Sequence, residues 1–312
     1  MKGRVVVLGG SGVLGSRVCA RFAAAGSSVL SVSRSGARAP WWPDSVDTTA
    51  LELTAGDMGR LRRTLAGADV VVNAAAVVWR TTDQLMRALH MTAVDQLIDV
   101  AGGQGARIVQ MGSSYEYGPA PFGVSTKEDD RRPPASFYGA SKRYGTEAVQ
   151  RAARERRVQG VVLRVANVSG PGAGSNSLPG MVARQLAAGT AHLRLSPLTV
   201  WRDYVDVRDV IDAVLAAATA PAADVSGQVI NIGGGAALPV RELVDRLIEL
   251  SGVPARIVEM ADRPVLEPMP WQQLDISRAR DLLGWRPSRQ LHDSLTDLLA
   301  AQRRAHEKGA AA

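Results

Sequence analysis

Apolar residues alternate between short runs and helix-like spacings through the first half of the chain. The short runs predict strands at Arg4–Leu8, Ser28–Val32, Ala50–Thr54, Asp69–Val72, Arg107–Met111 and Gly160–Val165. Between them, apolar residues at helical spacing predict helices at Val13–Ala25, Asp83–Ala101 and Tyr138–Arg156. This alternation predicts an α/β fold with a doubly wound parallel sheet, which takes its ligand at the carboxyl ends of the strands.

The pattern changes after Val168. The next segment, Ser169–Ser177, is rich in Gly, Pro, Ser and Asn and predicts a loop. Further elements are predicted at Leu178–Ala188 (helix), Gln228–Ile232 (strand), Pro239–Ser251 (helix) and Leu291–Glu307 (helix). We therefore predict a first domain at 1–168 whose sheet is rejoined by about 203–235. A smaller, discontinuous and mostly C-terminal domain is expected at 169–202 and 236–312.

Composition narrows the classes of function. The 312 residues are 46% hydrophobic and 21% charged, with a formal net charge of +7. A basic chain suits a polyanionic ligand, but no basic run is interleaved with aromatic residues, so we expect no nucleic-acid partner. The single cysteine, Cys19, falls on the apolar face of the first helix and is expected in the core. No signal peptide or membrane span is expected, and the predicted location is the cytoplasm.

A glycine-rich loop joins the first predicted strand to the first predicted helix, and it reads Gly9-Gly10-Ser11-Gly12-Val13-Leu14-Gly15. In such a loop, Gly9 allows a tight turn, Gly12 lets the backbone approach a pyrophosphate, and Gly15 permits close helix packing. The strand before it and the helix after it are the context of a Rossmann dinucleotide site. The predicted contacts to the cofactor in this loop are Gly9, Ser11, Gly12, Val13, Leu14 and Gly15.

The end of the second strand indicates which dinucleotide is bound. An acidic residue there would bind the ribose 2′-hydroxyl of NAD, whereas this chain has Ser33 and Arg34, with Arg38 nearby. A hydroxyl and a guanidinium suit a 2′-phosphate, so NADP(H) is predicted and NAD is the alternative. Asp57 is expected to reach the adenine amino group. The cofactor is also expected to lie against the small residues Ala74 and Ala75, which follow the fourth strand.

The candidate chemistry is carried by Tyr138 and Lys142, four residues apart and therefore on one face of a helix. An ammonium close to a phenol favours the phenolate, and such a tyrosine can pass a proton to a carbonyl oxygen as hydride reaches the carbon. The same lysine can hold the nicotinamide ribose. Ser113, after the fifth strand, can donate a hydrogen bond to the same oxygen. Ser113, Tyr138 and Lys142 are thus the predicted catalytic set, and no metal site is predicted.

Several further segments carry a resemblance to a known family. They are Met111–Gly118, Leu163–Asn167, Trp201–Val207, and Arg263 upstream of Asp275-Ile276-Ser277. With the glycine loop, they make the chain similar to the extended short-chain dehydrogenases/reductases of the NAD-dependent epimerase/dehydratase family. The resemblance covers Gly9 to Trp285. It selects Ser113 over Ser114, because the active hydroxyl of the family lies four residues before the Tyr-Gly pair.

The resemblance implies a substrate and an assembly. Asn167, Arg202 and Arg263 would hold the diphosphate of a nucleotide sugar, with Ser114, Tyr115 and Leu178 also at the substrate. Two of these residues have an alternative structural role. Arg202 could instead pair with Asp203 or Asp206, and Asn167 could cap the loop before Gly170. The helices at Asp83–Ala101 and Tyr138–Arg156 would form the interface of a homodimer.

The residues around Ser113 restrict the reaction. Dehydratases of the family carry Asp-Glu after the active hydroxyl, where this chain has Ser114 and Tyr115. The family resemblance implies that 3,5-epimerisation needs a Cys and a His. Here no Cys lies near Ser113 and His192 is in no matching motif, which disfavours that reaction. NADPH-dependent reduction of a 4-keto group on a nucleotide-linked 6-deoxy sugar is predicted, and an NAD-dependent 4-epimerase is the alternative. A reductase of small non-sugar carbonyls, as in neighbouring families, is a further alternative. A non-catalytic dinucleotide-sensing regulator is disfavoured because Ser113, Tyr138 and Lys142 are all present.

Overall fold

The computed structural model describes residues 2–78, 81–174, 176–260 and 269–310. Twelve strands occur in these ranges. They are β1 (Arg4–Leu8), β2 (Ser28–Ser33), β3 (Val46–Ala50), β4 (Val70–Asn73), β5 (Arg107–Ser113), β6 (Gln159–Val165), β7 (Asn167–Ser169), β8 (His192–Leu195), β9 (Trp201–Asp206), β10 (Val229–Ile232), β11 (Ala237–Pro239) and β12 (Arg256–Glu259).

The described helices surround these strands. They are α1 (Val13–Ala24), α2 (Met58–Leu65), α3 (Asp83–Arg87), α4 (Ala93–Gly102), α5 (Phe137–Arg154), α6 (Leu178–Ala187), α7 (Val207–Thr219), α8 (Ala222–Val225), α9 (Val240–Ser251), α10 (Ser277–Leu283) and α11 (Leu291–Ala310). A π-helical turn at Ala88–Thr92 joins α3 to α4, so the single helix predicted over Asp83–Ala101 is interrupted at its centre.

Seven strands form the main sheet in the order β10-β6-β5-β4-β1-β2-β3, and every neighbouring pair in it is parallel. The predicted doubly wound parallel sheet is therefore confirmed. From β1, the next strands β2 and β3 are added on one side of the sheet, and β4, β5, β6 and β10 are added on the other. The order of the strands therefore reverses between β1 and β4, which is where such sheets bind their ligand. Smaller sheets pair β11 with β9 and β9 with β7, and β12 with β8.

Three apolar clusters hold these layers together. One lies on the α1 and α7 face of the sheet and includes Val7, Phe22 and Val214; a second, with Leu97 and Val149, lies on the α2, α4 and α5 face. Burial on both faces explains why the strands read as almost continuous apolar runs. A third cluster joins α6, α9 and α11 around β8, and it draws only on residues after Val168. The domain limits given above remain a prediction.

The third strand differs from the prediction of Ala50–Thr54. It lies at Val46–Ala50, where Val46 is fully buried and pairs with Val29. The chain then turns into a short 3₁₀ helix at Leu53–Ala55, because the Glu52 side chain caps it by accepting from the Thr54 amide at 3.1 Å. Helix α7 was not among the predicted helices, although Asp206 caps its start by accepting from the Arg208 amide at 2.8 Å.

Candidate active site

The glycine loop makes a tight turn between β1 and α1. Gly9 has a φ of +76°, a value that favours glycine, and the amides of Gly9 and Gly10 donate to the Val32 carbonyl at 2.9 and 3.0 Å. A Cβ on Gly15 would lie 2.2 Å from the Gly9 carbonyl oxygen. Gly15 therefore permits packing of α1 against its own preceding loop, so that the helix can begin directly above the strand.

The N-terminus of α1 can hold an anion. Its N-cap is Gly12, which offers no side chain to the amides of the first turn, and Ser11 and Val13 are exposed beside it. Uncapped amides and the helix dipole together favour a bound phosphate. A Cβ on Gly9 would lie 2.7 Å from Cα of Ala75, so the end of β4 meets the loop without room for a side chain. This bare backbone cradle fits a dinucleotide diphosphate.

The side chains at the end of β2 and after it differ in how many hydrogen bonds they form within the protein. Ser33 accepts a hydrogen bond from the Gly36 amide at 3.1 Å through Oγ, which leaves its hydroxyl hydrogen to donate. Arg34 is exposed. The guanidinium of Arg38 instead donates to the carbonyls of Val46, Trp42 (3.3 Å) and Pro43 (2.6 Å), and so holds the loop before β3.

Asp57 is the N-cap of α2 and accepts from the Arg60 amide at 2.8 Å through one carboxylate oxygen. On the other side of the loop, Ala74 donates its amide to the Leu8 carbonyl at 3.0 Å, and Asn73 donates through Nδ2 to Gln110 at 2.9 Å. These bonds fix the end of β4 beside β1 and β5.

Ser113 ends β5 and is buried, with 7% of its surface exposed. Its Oγ accepts from the Tyr115 amide at 3.3 Å, and its own amide donates to Glu116 Oε1 at 2.8 Å. The other Glu116 oxygen accepts from Arg164 Nε at 2.6 Å in a buried ion pair. Since Oγ is used as an acceptor, the Ser113 hydroxyl keeps its hydrogen for an external acceptor such as a carbonyl oxygen.

Tyr138 and Lys142 lie in the first two turns of α5, which is capped by Ser136. Lys142 is buried and donates through Nζ to the Met111 carbonyl at 2.6 Å. Burial lowers the pKa of its ammonium, and the charge of Glu116 opposes this. A Cβ on Gly139 would lie 2.1 Å from the Tyr115 carbonyl oxygen, so glycine lets the first turn of α5 sit against the segment after β5. This close approach places the first turn of α5, which carries Tyr138, against the segment that follows Ser113.

His90 is a buried residue of the site that the sequence analysis did not select. Its ring lies edge-on to Tyr138, with centroids 5.8 Å apart and planes at 77°. Nδ1 is 2.9 Å from Ser141 Oγ, and Nε2 accepts from the Val77 amide at 3.2 Å. The signal that could have found it is a histidine seven residues after the start of the helix predicted at Asp83–Ala101, but no spacing rule links it to Tyr138.

The predicted substrate residues after β5 and β6 form a connected group. Tyr115 lies against Tyr138 with ring centroids 6.2 Å apart and donates to Asn167 Oδ1 at 3.3 Å. Asn167 donates through Nδ2 to the Asp203 carbonyl at 3.0 Å and to Gln272 Oε1 at 2.7 Å. Its amide is thus used within the protein, and it does not cap the following loop. Ser114 Oγ is buried, and the structure gives it no hydrogen-bond partner.

Arg202 forms no ion pair with Asp203 or Asp206. Asp203 instead accepts from the amides of Gly234, Gly235 and Leu274, and Asp206 pairs with Arg208 at 2.8 Å. The buried guanidinium of Arg202 donates through Nη1 to the Trp201 and Met269 carbonyls, at 2.8 and 2.6 Å. Within the described ranges no carboxylate lies at ion-pair distance from it. A buried cation without a carboxylate partner suits an anionic ligand.

Leu178 and Arg263 are the remaining predicted substrate residues. Leu178 begins α6 after the Ser177 cap and packs against the third apolar cluster. Arg263 lies outside the described residues.

None of the helices in the described part of the chain combines the length and apolarity needed to cross a bilayer. Across the same residues, no cluster of three His, Cys, Asp or Glu side chains is arranged to hold a metal ion.

Comparison with known proteins identifies the relatives of this fold and site. Residues 5–233 match the model of the NAD dependent epimerase/dehydratase family. The dTDP-6-deoxy-L-talose 4-dehydrogenase (NAD(P)(+)) of Kitasatospora kifunensis is 42% identical over 309 residues, covering 96% of this chain and 95% of that protein.

Solved structures agree in fold. MoeE5 in complex with UDP-glucuronic acid and NAD superposes with a TM-score of 0.86 at 25% identity, covering 97% of this chain and 100% of that one. RMD from Pseudomonas aeruginosa, complexed with NADPH, superposes with a TM-score of 0.81 at 22% identity, covering 98% and 99%, a likeness of fold alone. The predictions of family, fold and an NAD(P)-dependent enzyme are confirmed, and the chain belongs to the NAD-dependent epimerase/dehydratase family.

Proposed function

We propose that this enzyme uses NADPH to reduce the 4-keto group of a nucleotide-linked 6-deoxy sugar. The observation that carries the proposal is Ser33-Arg34 at the end of β2, where an NAD enzyme would have an acid. The relative from Kitasatospora kifunensis is named for a 4-dehydrogenation of dTDP-6-deoxy-L-talose. The reverse of such an oxidation is the reduction of a 4-keto sugar, and we propose a dTDP-4-keto-6-deoxy-L-hexose as the substrate to test first.

Ser113, Tyr138 and Lys142 have different roles in the proposed reduction. When bound, the reduced nicotinamide supplies the hydride, with its electron pair, to carbon 4 of the sugar. Ser113 donates a hydrogen bond from Oγ to the carbonyl oxygen, and Tyr138 transfers its hydroxyl proton to that oxygen, which completes the alcohol. Lys142, buried with one Nζ proton bound to the Met111 carbonyl, keeps its ammonium at a fixed place one helical turn from Tyr138.

The cofactor preference rests on two side chains. Ser33 can donate its hydroxyl hydrogen, and exposed Arg34 can pair with a 2′-phosphate. Because the guanidinium of Arg38 is already bound by three backbone carbonyls, we assign Arg38 to the loop and not to the phosphate. Asp57 keeps one carboxylate oxygen that the helix cap does not use, and we propose that it meets the adenine amino group.

The substrate diphosphate is proposed to bind Arg202, the buried cation described above, with Arg263 as a second contact inferred from sequence alone. Asn167 is assigned a different role: it fixes Tyr115 and Gln272 through hydrogen bonds. Tyr115, Ser114 and Leu178 would then border the sugar. We also propose a homodimer in which the helical stretch Asp83–Ala101 and α5 form the interface, as the family resemblance implies.

A direct assay tests the proposal. The purified enzyme is mixed with the dTDP-4-keto-6-deoxy-L-hexose and either NADPH or NADH, and the loss of reduced-nicotinamide absorbance is followed. We expect equimolar loss of NADPH and formation of the 6-deoxyhexose, with a kcat/KM for NADPH at least about tenfold above that for NADH. A preference for NADH would refute the cofactor assignment.

The same preparation separates the second candidate, an NAD-dependent 4-epimerase. The NAD in the MoeE5 complex favours it, since that structure superposes over nearly the whole chain. An epimerase retains its cofactor, so denaturing the purified protein would release NAD in equimolar amount. Release of NAD together with conversion of a nucleotide sugar to its 4-epimer, without loss of added NADPH, would replace the reductase proposal with this one.

A further inference from the structure

His90 lies buried between the loop after β4 and the first turns of α5, with 3% of its surface exposed. On one side its Nε2 contacts the backbone amide of Val77 at 3.2 Å. On the other side its Nδ1 contacts Ser141 Oγ at 2.9 Å, and Ser141 Oγ donates to the Tyr138 carbonyl at 2.8 Å. The imidazole therefore connects the segment after the fourth strand to the backbone of Tyr138.

The hydrogen-bond directions in this connection follow from the groups that take part. The Val77 amide can only donate, so Nε2 must accept and carries no hydrogen. Burial, with a further contribution from the charge of Lys142, lowers the pKa of His90 to about 3, so the ring is neutral at ordinary pH. Nδ1 then carries the hydrogen and donates to Ser141, whose own hydrogen goes to the Tyr138 carbonyl.

The backbone around His90 is shaped to make these contacts. His90 is the central residue of the π-helical turn Ala88–Thr92, a feature that often marks functional sites. On the facing helix, a Cβ on Gly145 would lie 2.8 Å from the His90 carbonyl oxygen, so only glycine allows α5 to approach so closely. Both features concern the backbone of His90, which lies close to α5, and the His90 ring contacts the ring of Tyr138.

We propose that His90 is a positioning residue for Tyr138, holding the first turn of α5 at a fixed distance from the loop after β4. The proposal rests on the proposed role of Tyr138 as the proton donor. The phenol of Tyr138 must meet the sugar carbonyl while the loop after β4 borders the cofactor, so their separation sets the alignment of proton and hydride transfer. A displacement of about 1 Å at such a site costs on the order of 100-fold in rate.

Three substitutions of His90 distinguish its contacts. His90→Phe keeps a ring and removes both hydrogen bonds. His90→Asn keeps an amide donor near the position of Nδ1 for Ser141, and His90→Gln keeps an acceptor near the position of Nε2 for Val77. We expect His90→Phe to lower kcat about 10- to 100-fold with KM for both substrates changed less than about threefold. His90→Asn and His90→Gln should each recover only part of that loss, because each keeps one of the two contacts that the connection needs.

Ser141→Ala tests the path. If His90 acts through Ser141, Ser141→Ala and His90→Phe each lower kcat, and the double variant loses no more than the worse single variant. Losses that multiply in the double variant would overturn the proposal. So would a His90→Phe enzyme with unchanged kcat, or one whose melting temperature falls while its kcat and pH profile stay as in the wild type.

A second readout needs no substrate and so separates this proposal from the reductase proposal. The phenolate absorbance of Tyr138 is titrated with Tyr138→Phe protein as the blank. We expect the midpoint to move to higher pH in His90→Phe, because the phenol is no longer held near the Lys142 ammonium. If the wild-type enzyme does not oxidise NADPH, the proposed function alone is refuted. If the midpoint of the Tyr138 titration does not move in His90→Phe, the positioning role alone is refuted.

Discussion

Glu116 accepts a hydrogen bond from the backbone amide of Ser113 at 2.8 Å, which ties the predicted active hydroxyl to a buried ion pair. The second Glu116 oxygen binds Arg164 on β6 at 2.6 Å, and Arg164 also lies over the Tyr117 ring at 4.5 Å. The end of β5 is thus held by a side chain of its own 3₁₀ turn and by a cation on the neighbouring strand. The position of Ser113 depends on these contacts as well as on the sheet.

Removing the negative charge of this pair should destabilise the protein. Glu116→Gln keeps the side-chain volume but leaves the buried Arg164 without a charge partner, and we expect the free energy of unfolding to fall by about 3 kcal/mol. Urea unfolding measures it. The control is Glu147→Gln, which breaks the more exposed pair with Arg143 and should cost less than about 1 kcal/mol. Equal losses for the two variants would contradict the importance of burial here.

Tyr138→Phe should abolish most turnover without loss of cofactor binding. The hydroxyl proton is the one transferred, so kcat is expected to fall by about 10²- to 10⁴-fold. The dissociation constant for NADPH, measured by fluorescence titration, should stay within about threefold of wild type, because the cradle at α1 is untouched. Tyr144→Phe removes a hydroxyl from the same helix, where it binds Asp95 at 2.8 Å, and should leave kcat unchanged.

Arg34→Ala should weaken the binding of NADPH but not the binding of NADH. One charge-assisted contact to the 2′-phosphate is lost, and we expect KM for NADPH to rise about 10- to 100-fold. Initial rates at varied cofactor concentration measure the effect. The matched control is Arg62→Ala, an exposed arginine of α2, which should change neither KM. An equal rise in KM for both cofactors would place Arg34 away from the 2′-phosphate.

Arg202→Met should weaken the binding of the nucleotide sugar and leave the binding of the cofactor unchanged. It removes the buried guanidinium while keeping an apolar side chain of comparable length, and we expect KM for the sugar to rise at least about tenfold. KM for NADPH should stay at the wild-type value. Arg184→Ala, an exposed arginine on α6, serves as the control and should have no effect. Wild-type sugar KM in Arg202→Met would refute the diphosphate assignment.

His90 should make the stability of the protein depend on pH. Its pKa is about 3 in the folded chain and 6.5 as the reference value, so below pH 6.5 the unfolded chain takes up a proton that the folded chain refuses. Stability from this group is therefore lost as pH falls, by about 2 kcal/mol between pH 8 and pH 5. Urea unfolding at both pH values should show a smaller loss for His90→Asn. Equal slopes would contradict the prediction.

The sequence was sufficient for six of the seven strands of the main sheet, because these strands are largely buried and stand out as apolar runs between helices. It misplaced β3, since the polar residues of Val46–Ala50 look less like a strand than the segment after it, and only pairing with β2 decides. In the site, local spacing indicated the glycine loop and the Tyr138–Lys142 pair. Contacts such as Glu116 with Arg164, 48 residues apart, depend on tertiary packing that no local pattern encodes.

The last strand of the main sheet, β10, is made long after its neighbour β6, with the whole of Asn167–Val225 translated between them. It also supplies Asn231, whose Oδ1 accepts from the Tyr117 hydroxyl at 2.8 Å beside the Ser113 segment. During synthesis, β6 is therefore left as an open edge that another chain could pair with. A polypeptide released before Val229 would be prone to aggregate, and the ribosome must deliver most of the chain before the site can be completed.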